Sequence, residues 1–229
     1  MATTLIIGAT RGIGLELVRQ YAAAGDNVIA CARDLNAAGG LPELAATADN
    51  ISVEQLDIAD PASIKAAKAN IGAQPIDVVL VVAGITGGDH QSLDDIDVEA
   101  WHHALNANTV GPMLVAAQFK ENLVAAGDGH LMIVSSQLAA STWPMGGRYI
   151  YATTKAAVNR VGQLLAIDWR DDPITVTLMH PGWVQTDMGG PHADITAEES
   201  ASGIRQVIAD ATREDSGKFF KWNGEPHAW

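Results

Sequence analysis

The stretch Thr3-Thr4-Leu5-Ile6-Ile7-Gly8-Ala9-Thr10-Arg11-Gly12-Ile13-Gly14 is the strongest indication of the fold of this chain. Its apolar run predicts a buried strand, and the glycine-rich turn leads into a helical pattern with Leu15 and Val18 on one face. Glycines permit a tight turn and close approach of a pyrophosphate, which free N–H groups at a helix start can bind. A glycine triplet alone also fits a plain β–α turn, so its position directly after the strand carries the inference.

Similar apolar runs alternate with helical patterns along the rest of the chain. Apolar strands flanked by helices are typical of a parallel sheet covered on both faces. We therefore predict an α/β fold, a single domain over residues 1–229 with a doubly wound parallel sheet and helices on both faces. The predicted strands are Leu5–Ile7, Val28–Ala30, Ile51–Leu56, Val78–Val82, Leu131–Val134, Val176–Met179 and a last short strand at Lys218–Phe220.

Three helix starts are also predicted. Thr196-Ala197-Glu198-Glu199 has the spacing of a capping box. A long helix is expected to begin near Tyr149. The acidic stretch Asp94–Glu99 is interpreted as a solvated helix start, where carboxylates favour the positive end of the helix dipole.

The composition excludes several classes of function. The 229 residues carry a net charge of −13, which argues against nucleic acids and anionic membrane surfaces as partners. Apolar runs such as Val78–Ala83 are too short to cross a bilayer, and no secretory signal is visible. The single cysteine, Cys31, is expected to be a buried hydrophobe and fits a cytoplasmic setting. None of the seven histidines has a metal-ligand spacing, so no metal site is predicted.

The end of the second strand indicates the cofactor. NAD-dependent dehydrogenases usually place an acidic residue here to bind the ribose 2′-hydroxyl, whereas this chain has Ala32 followed by Arg33. Arg33 and Arg11 could both reach a 2′-phosphate, and each charge-assisted hydrogen bond contributes about 1.5–3 kcal/mol. NADP(H) is therefore the predicted cofactor. The alternative is that both arginines are solvated surface residues.

Tyr151-Ala152-Thr153-Thr154-Lys155 is the sharpest catalytic signal. The spacing places Tyr151 and Lys155 on one helix face. A free tyrosine has a pKa of about 10, and we expect the Lys155 ammonium to lower the pKa of Tyr151. Tyr151 could then protonate a carbonyl oxygen as hydride reaches the carbon. Tyr149 cannot replace Tyr151, because the residue four positions after it is Thr153 and not a lysine. The alternative interpretation is a chance Tyr/Lys pair on an exposed helix.

The motifs together resemble the short-chain dehydrogenase/reductase family. The resemblance rests on the Gly-x-x-x-Gly-x-Gly loop, the Tyr-x-x-x-Lys pair and three further segments in the family's order. These segments are Asn108-Thr109-Val110-Gly111, Leu131–Ser136 and His180–Asp187. Within the family, the chain is most similar to the C-factor and sniffer-type carbonyl reductases, on residues 11–18, 181–190 and 217–229.

The resemblance implies four catalytic residues, Asn108, Ser136, Tyr151 and Lys155. Tyr151 would be the general acid/base, and Lys155 would hold the ribose and tune Tyr151. Ser136 would orient the substrate carbonyl, with Ser135 as a plausible substitute. Asn108 would anchor a proton-relay water, and Asn106 is its competitor.

The family pattern also implies a set of cofactor-binding residues. Asp57 would contact the adenine, although it also fits a turn at a strand end, and the region from Val184 to Thr186 would hold the nicotinamide amide. The full set is Gly8, Thr10, Arg11, Gly12, Ile13, Gly14, Arg33, Asp57, Ile58, Ala83, Gly84, Tyr151, Lys155, Pro181, Gly182, Val184 and Thr186.

One segment departs from the family. After the fourth strand the family usually has Asn-Asn-Ala-Gly, whereas this chain has Val81-Val82-Ala83-Gly84. The missing asparagine normally ties neighbouring strands near the cofactor. Since two valines suit a buried parallel strand, we expect the fold to survive and the cofactor geometry to be affected.

The function that the resemblance implies is NADPH-dependent reduction of a small-molecule carbonyl, or oxidation of the alcohol. The alternative is an NADP(H)-binding signalling or regulatory protein with little turnover. A homodimer or homotetramer is expected. The loop Met188–Ile195 and the region around His90 are expected to face the substrate, and an apolar pocket could be lined by Trp143, Met145, Trp183 and Met188.

Overall fold

The computed structural model describes residues 1–229, in which strands and helices alternate. The strands are β1 (Thr3–Ile7), β2 (Asn27–Ala32), β3 (Ile51–Gln55), β4 (Val78–Val81), β5 (Gln91–Ser92), β6 (Asp95–Ile96), β7 (Gly129–Val134), β8 (Ile174–His180) and β9 (Lys218–Lys221). The α-helices are α1 (Gly12–Ala23), α2 (Leu41–Ala45), α3 (Pro61–Ile71), α4 (Val98–Leu105), α5 (Gly111–Ala126), α6 (Tyr149–Asp168) and α7 (Ala197–Asp210). Residues 106–110 form a π-helical turn between α4 and α5.

Seven strands form one sheet in the order β3-β2-β1-β4-β7-β8-β9, and every pair in it is parallel. The predicted doubly wound parallel sheet is confirmed. Strand order reverses between β1 and β4, which is where ligands bind in such sheets, beyond the carboxyl ends of the strands. The segments that follow β1, β4, β7 and β8 therefore meet at one edge of the sheet.

Two apolar cores cover the two faces of the sheet. Leu5 and Ile7 of β1 pack in one core with α3, α5 and α6. Ile6, which points to the opposite face, packs in the other core with α1, α2 and α7. This alternation is what buried strands require when helices lie on both sides. None of the helices combines the length and the apolar character needed to span a membrane.

The helix starts follow the sequence with one exception. α6 begins at Tyr149, and Thr196 caps α7 in a complete capping box with Glu199. The prediction for Asp94–Glu99 is wrong in its first half, because Asp95 belongs to β6, which pairs with β5 in a hairpin. The second half is right, because the Asp97 carboxylate caps α4 by accepting the N–H of Ala100 and Glu99 lies in the first turn.

The strand that departs from the family pattern keeps its place in the sheet. The backbone amides of Val82 and Ala83 both donate to the carbonyl of Ile7, at 3.0 and 2.9 Å. Backbone bonds therefore join this strand end to β1 without an asparagine side chain, as expected for the fold. Cys31 is fully buried, as expected, and the cytoplasmic setting stays a prediction.

Candidate active site

The glycine-rich loop after β1 is packed so tightly that side chains are excluded. A Cβ on Gly8, which has φ = 93°, would lie 2.7 Å from the backbone nitrogen of Ala83. A Cβ on Gly14 would lie 2.0 Å from the carbonyl oxygen of Gly8. No side chain caps the start of α1, so the backbone N–H groups of its first turn can bind an anion. This cradle fits a pyrophosphate.

Arg11 connects this loop to the segment after β8. Its guanidinium forms a 2.8 Å ion pair with Asp187, and about three quarters of each side chain is exposed (76% and 75%). Close by, a Cβ on Gly12 would lie 2.9 Å from Cγ2 of Thr186. An exposed ion pair of this kind contributes only about 0–1 kcal/mol, so Arg11 could exchange partners at little cost. Arg33 is exposed and makes no ion pair.

A further neighbour of the loop was missed in the sequence. Gly39, with φ = 60°, approaches the carbonyl of Thr10 so closely that a Cβ would lie 2.3 Å from its oxygen. The segment after β2 therefore packs directly on the phosphate loop. The adjacent pair Gly39-Gly40 was the available signal, since neighbouring glycines often mark a close backbone approach.

Asp57 and Ile58 have visible structural roles. The Asp57 carboxylate accepts the N–H of Ala59 at 2.9 Å, while its own N–H donates to the hydroxyl of Ser63. Ile58 is buried, and its carbonyl lies against Gly111, where a Cβ would be only 2.1 Å away. The turn interpretation of Asp57 is thus present in the structure, and its adenine contact stays a prediction.

Tyr151 and Lys155 lie on successive turns of α6. The Lys155 ammonium is 5.9 Å from the centroid of the Tyr151 ring and donates to the carbonyl of Val134 at 2.8 Å. Gly84 leaves room for this ammonium, because a Cβ there would be 3.2 Å from Nζ. Lys155 is only 3% exposed, so the pair does not lie on a solvated helix face.

The expected pKa shift of Tyr151 is wrong in direction. Burial raises the pKa of Tyr151 above its usual value, and this outweighs the lowering by a hydrogen bond with Ser136 and by the charge of Arg148. Burial also lowers the pKa of Lys155, to about 8. The pKa of Tyr151 is raised because burial removes more hydration from its phenolate than the neighbouring groups replace. Tyr151 is therefore a phenol at neutral pH and carries a proton to donate.

The two serines after β7 have separate roles. Ser136 lines the cavity beside Tyr151 and lowers its pKa, and the Ser136 hydroxyl accepts the N–H of Leu138 at 3.2 Å. Ser135 is fully buried and donates to the carbonyl of Lys155 at 3.3 Å. This geometry favours Ser136 as the hydroxyl beside the reacting group and Ser135 as a support for α6.

Asn108 lies in the π-helical turn and is completely buried. Its amide accepts from the N–H of Ile85 and donates to the carbonyl of Ile85 and the hydroxyl of Thr154, at 2.8 to 2.9 Å. The side chain thus ties α6 to the segment after β4, and both N–H groups of its amide are engaged. The residue four positions on is Pro112, which has no N–H for the carbonyl of Asn108. The water-anchoring role of Asn108 stays a prediction.

A cavity of about 370 Å³ joins the predicted residues. Seven of them line it: Ile13, Ser136, Tyr151, Pro181, Gly182, Val184 and Thr186. Trp183 and Met188 also line it, as expected, whereas Trp143 and Met145 do not. His90 does not line it either; the side chain of His90 is exposed and pairs with Asp95 of the hairpin. The cavity brings the segments after β1, β7 and β8 to the Tyr151 side chain.

Three residues at this site were missed in the sequence. Arg148 and His180 line the cavity, and burial lowers the pKa of His180 to about 4, so that its imidazole is neutral at pH 7. Gln91 is buried behind the cavity, where its carbonyl oxygen accepts the N–H of Tyr151 at 3.2 Å. A distant hairpin thus caps the start of α6, a contact that no local pattern could have indicated.

Comparison with known proteins identifies relatives over the whole chain. The family model described as short chain dehydrogenase matches residues 2–196. The C-signal protein of Myxococcus xanthus is 34% identical over 169 residues, which are 72% of this chain and all of that protein.

Solved structures of similar proteins superimpose on the whole chain. The NADPH-bound carbonyl reductase from chicken fatty liver superimposes with a TM-score of 0.92 at 30% identity, covering 100% of this chain and 99% of that one. The carbonyl reductase Sniffer of Drosophila melanogaster superimposes with a TM-score of 0.93 at 27% identity, covering both chains completely. The predicted resemblance is thus confirmed at the level of family and nearest subgroup.

Proposed function

This chain belongs to the short-chain dehydrogenase family, a family of oxidoreductases, and from this premise we propose that it is an NADPH-dependent carbonyl reductase with Tyr151 as its proton donor. The observation that carries the proposal is the position of the Tyr151 side chain. It lines the cavity together with Ser136, whose hydroxyl lowers the pKa of Tyr151, next to the segments proposed to hold the cofactor. The NADPH in the chicken carbonyl reductase supports the choice of cofactor.

The residues present fit NADP(H). The glycine cradle and the uncapped start of α1 would hold the pyrophosphate. Arg33, with Ala32 in place of an acidic residue, would admit and bind the 2′-phosphate, and Arg11 would join it by leaving Asp187. Val184 and Thr186 would face the nicotinamide at the cavity.

Bound NADPH supplies the hydride that reaches the carbonyl carbon. Ser136 orients the carbonyl oxygen, and Tyr151 transfers its phenolic proton to that oxygen, which gives the alcohol. The Lys155 ammonium stabilises the phenolate that remains. Asn108 anchors the water that returns a proton to Tyr151. The same groups serve alcohol oxidation in reverse.

The experiment that tests this function compares NADPH and NADH oxidation with a panel of aldehydes, ketones and diketones. We expect NADPH-selective turnover. The variant Ala32→Asp should reduce kcat/KM for NADPH by about tenfold or more, because its carboxylate repels the 2′-phosphate, and it should spare NADH. Equal use of both cofactors by the unmodified chain would contradict the assignment of Arg33 and Arg11.

A second function has one observation in its favour. The relative with 34% identity is named C-signal, which agrees with a binding protein of signalling or regulatory function with little turnover. Tight NADPH binding without oxidation by any carbonyl in the panel would favour this function. The buried Lys155 and the position of Ser136 beside Tyr151 at the cavity favour the reductase, because a binding protein does not need them.

We also propose that residues 1–229 form one domain and assemble as a homodimer or homotetramer. One sheet takes strands from Thr3 to Lys221, which supports a single domain. Apolar side chains remain exposed on α5, α6 and the turn before α5, and these support an interface there: Val110, Met113, Leu164 and Ile167. Sedimentation equilibrium measures the state of assembly.

A further inference from the structure

The cavity at Tyr151 contains one charged side chain, that of Arg148. No aspartate, glutamate or lysine lines the cavity, and the imidazole of His180 is neutral at pH 7. Arg148 forms no ion pair and no side-chain hydrogen bond with any residue of the chain, and it is exposed toward the cavity mouth. Its five N–H donors are therefore available to a bound molecule.

The backbone holds Arg148 in an unusual conformation. Its φ of 48° and ψ of 42° are left-handed, and it is the one non-glycine residue in the chain with a positive φ. This conformation is disfavoured for a residue with a long side chain, and such strain is concentrated at ligand-binding and active sites. Asparagine or glycine would occupy the position more easily, so an arginine there points to a use for its side chain.

The charge of Arg148 is opposite to that of the protein. Acidic residues outnumber basic ones by 27 to 14, and six of the fourteen basic side chains form an ion pair with a carboxylate. The charge of Arg148 instead extends to the reacting group, since it lowers the pKa of Tyr151. Arg148 precedes α6 directly, and its side chain and that of Tyr151 line the same cavity.

We propose that the substrate is a carbonyl compound with a carboxylate, and that Arg148 binds the carboxylate while Tyr151 and Ser136 bind the carbonyl oxygen. The inference rests on the proposed reductase function. A guanidinium matches a carboxylate with two parallel hydrogen bonds, which fixes the orientation of the substrate. Trp183 and Met188 line the same cavity and contact the apolar part between the two polar ends.

The test uses two aldehydes of nearly equal shape, 4-carboxybenzaldehyde and its neutral methyl ester, methyl 4-formylbenzoate. With NADPH, we expect kcat/KM for the carboxylate to exceed that for the ester by about tenfold or more, mainly through KM. Raising the ionic strength from about 0.02 to 0.5 M should reduce this ratio, because the contact is partly exposed.

The variant Arg148→Asn removes the charge and keeps a residue that tolerates the left-handed backbone. We expect the carboxylate-to-ester ratio to fall to about one, while Arg148→Lys keeps part of it. The ratio is formed within each variant, so a loss of folded enzyme cancels. The salt dependence of the ratio in the unmodified chain tests the same contact without any variant.

The outcomes separate this inference from the function on which it rests. Turnover of both aldehydes at equal kcat/KM by the unmodified chain overturns the inference and leaves the reductase in place. A ratio that survives in Arg148→Asn while both rates fall together shows that Arg148 acts on Tyr151 and overturns it as well. Failure to oxidise NADPH with these aldehydes and with the wider panel counts against the reductase itself.

Discussion

Lys155 combines a full positive charge with an almost completely buried position. Burial lowers its pKa to about 8, and the one hydrogen bond of its ammonium goes to the carbonyl of Val134. Tyr151 is shifted the other way, since burial raises its pKa and keeps it protonated. The two shifts suit reduction at neutral pH, where a protonated phenol and a charged ammonium are both needed.

This pair predicts a pH dependence of reduction. As pH rises above about 8, Lys155 loses its proton and no longer stabilises the phenolate that proton transfer leaves on Tyr151. We expect kcat/KM for the carbonyl, measured at saturating NADPH, to fall by about tenfold per pH unit above that point. Lys155→Arg, which keeps its charge at high pH, should move the decline upward. A flat profile up to about pH 10 would disagree.

Gln91 shows how one distant element fixes another. It lies in β5 and accepts the N–H of Tyr151 at 3.2 Å, while its amide nitrogen donates to the carbonyls of Thr86 and Gly88. The N–H groups in the first turn of a helix have no partner within the helix. Gln91 therefore stabilises the start of α6 and the position of Tyr151 together.

Gln91→Leu should lower both stability and activity. Unpaired backbone groups cost about 1–3 kcal/mol, and urea unfolding measures that loss. We expect kcat to fall by about tenfold with the KM for NADPH unchanged, since small displacements of a catalytic group are costly. Gln91→Glu keeps the acceptor for the N–H of Tyr151 and should retain more activity than the leucine variant. Equal kcat in all three proteins would count against this positioning role.

Elements were predictable where the signal was local. The strands follow from their apolar runs, and α7 follows from the reciprocal bonds of Thr196 and Glu199. The β5–β6 hairpin was not predictable from its acidic sequence, because buried contacts of Gln91 hold it. The π-helical turn at Asn108 likewise depends on a side chain that bonds to Ile85 across the fold.

The candidate site divides in the same way. Tyr151, Lys155 and the glycine loop have spacings that local geometry explains, so the sequence indicates them. Arg148 escaped notice because its importance comes from the folded cavity, where it is the one charged side chain. The shift of Tyr151 was predicted with the wrong sign, because a sequence shows the nearby charge but not the depth of burial.

The stability of the folded chain should depend on pH through buried histidines. His130 in β7 contacts the hydroxyl of Thr177 at 2.8 Å, and burial lowers its pKa to about 4. His180 is shifted in the same direction, also to about 4. Above the unfolded pKa of about 6.5 both states are neutral, and the full stability is present. As pH falls toward about 4, the unfolded chain binds protons that the folded chain does not, and stability is lost.

His130→Gln isolates the share of one histidine. A shift of this size corresponds to a loss of about 3 kcal/mol between about pH 7 and 4. Urea unfolding at about pH 7, 5.5 and 4.5 should show a smaller decline in the glutamine variant than in the unmodified chain. Parallel declines in the two proteins would show that His130 does not titrate as its burial indicates.

The molecule as a whole is proposed to reduce carbonyls with Tyr151 as proton donor, and Tyr151→Phe removes that proton while keeping the ring. The measurement is NADPH oxidation with a carbonyl substrate, together with NADPH binding followed by its fluorescence. The account predicts that kcat falls by about 10²-fold or more while the Kd for NADPH changes little. A Tyr151→Phe protein that binds NADPH and retains most of its turnover would contradict it.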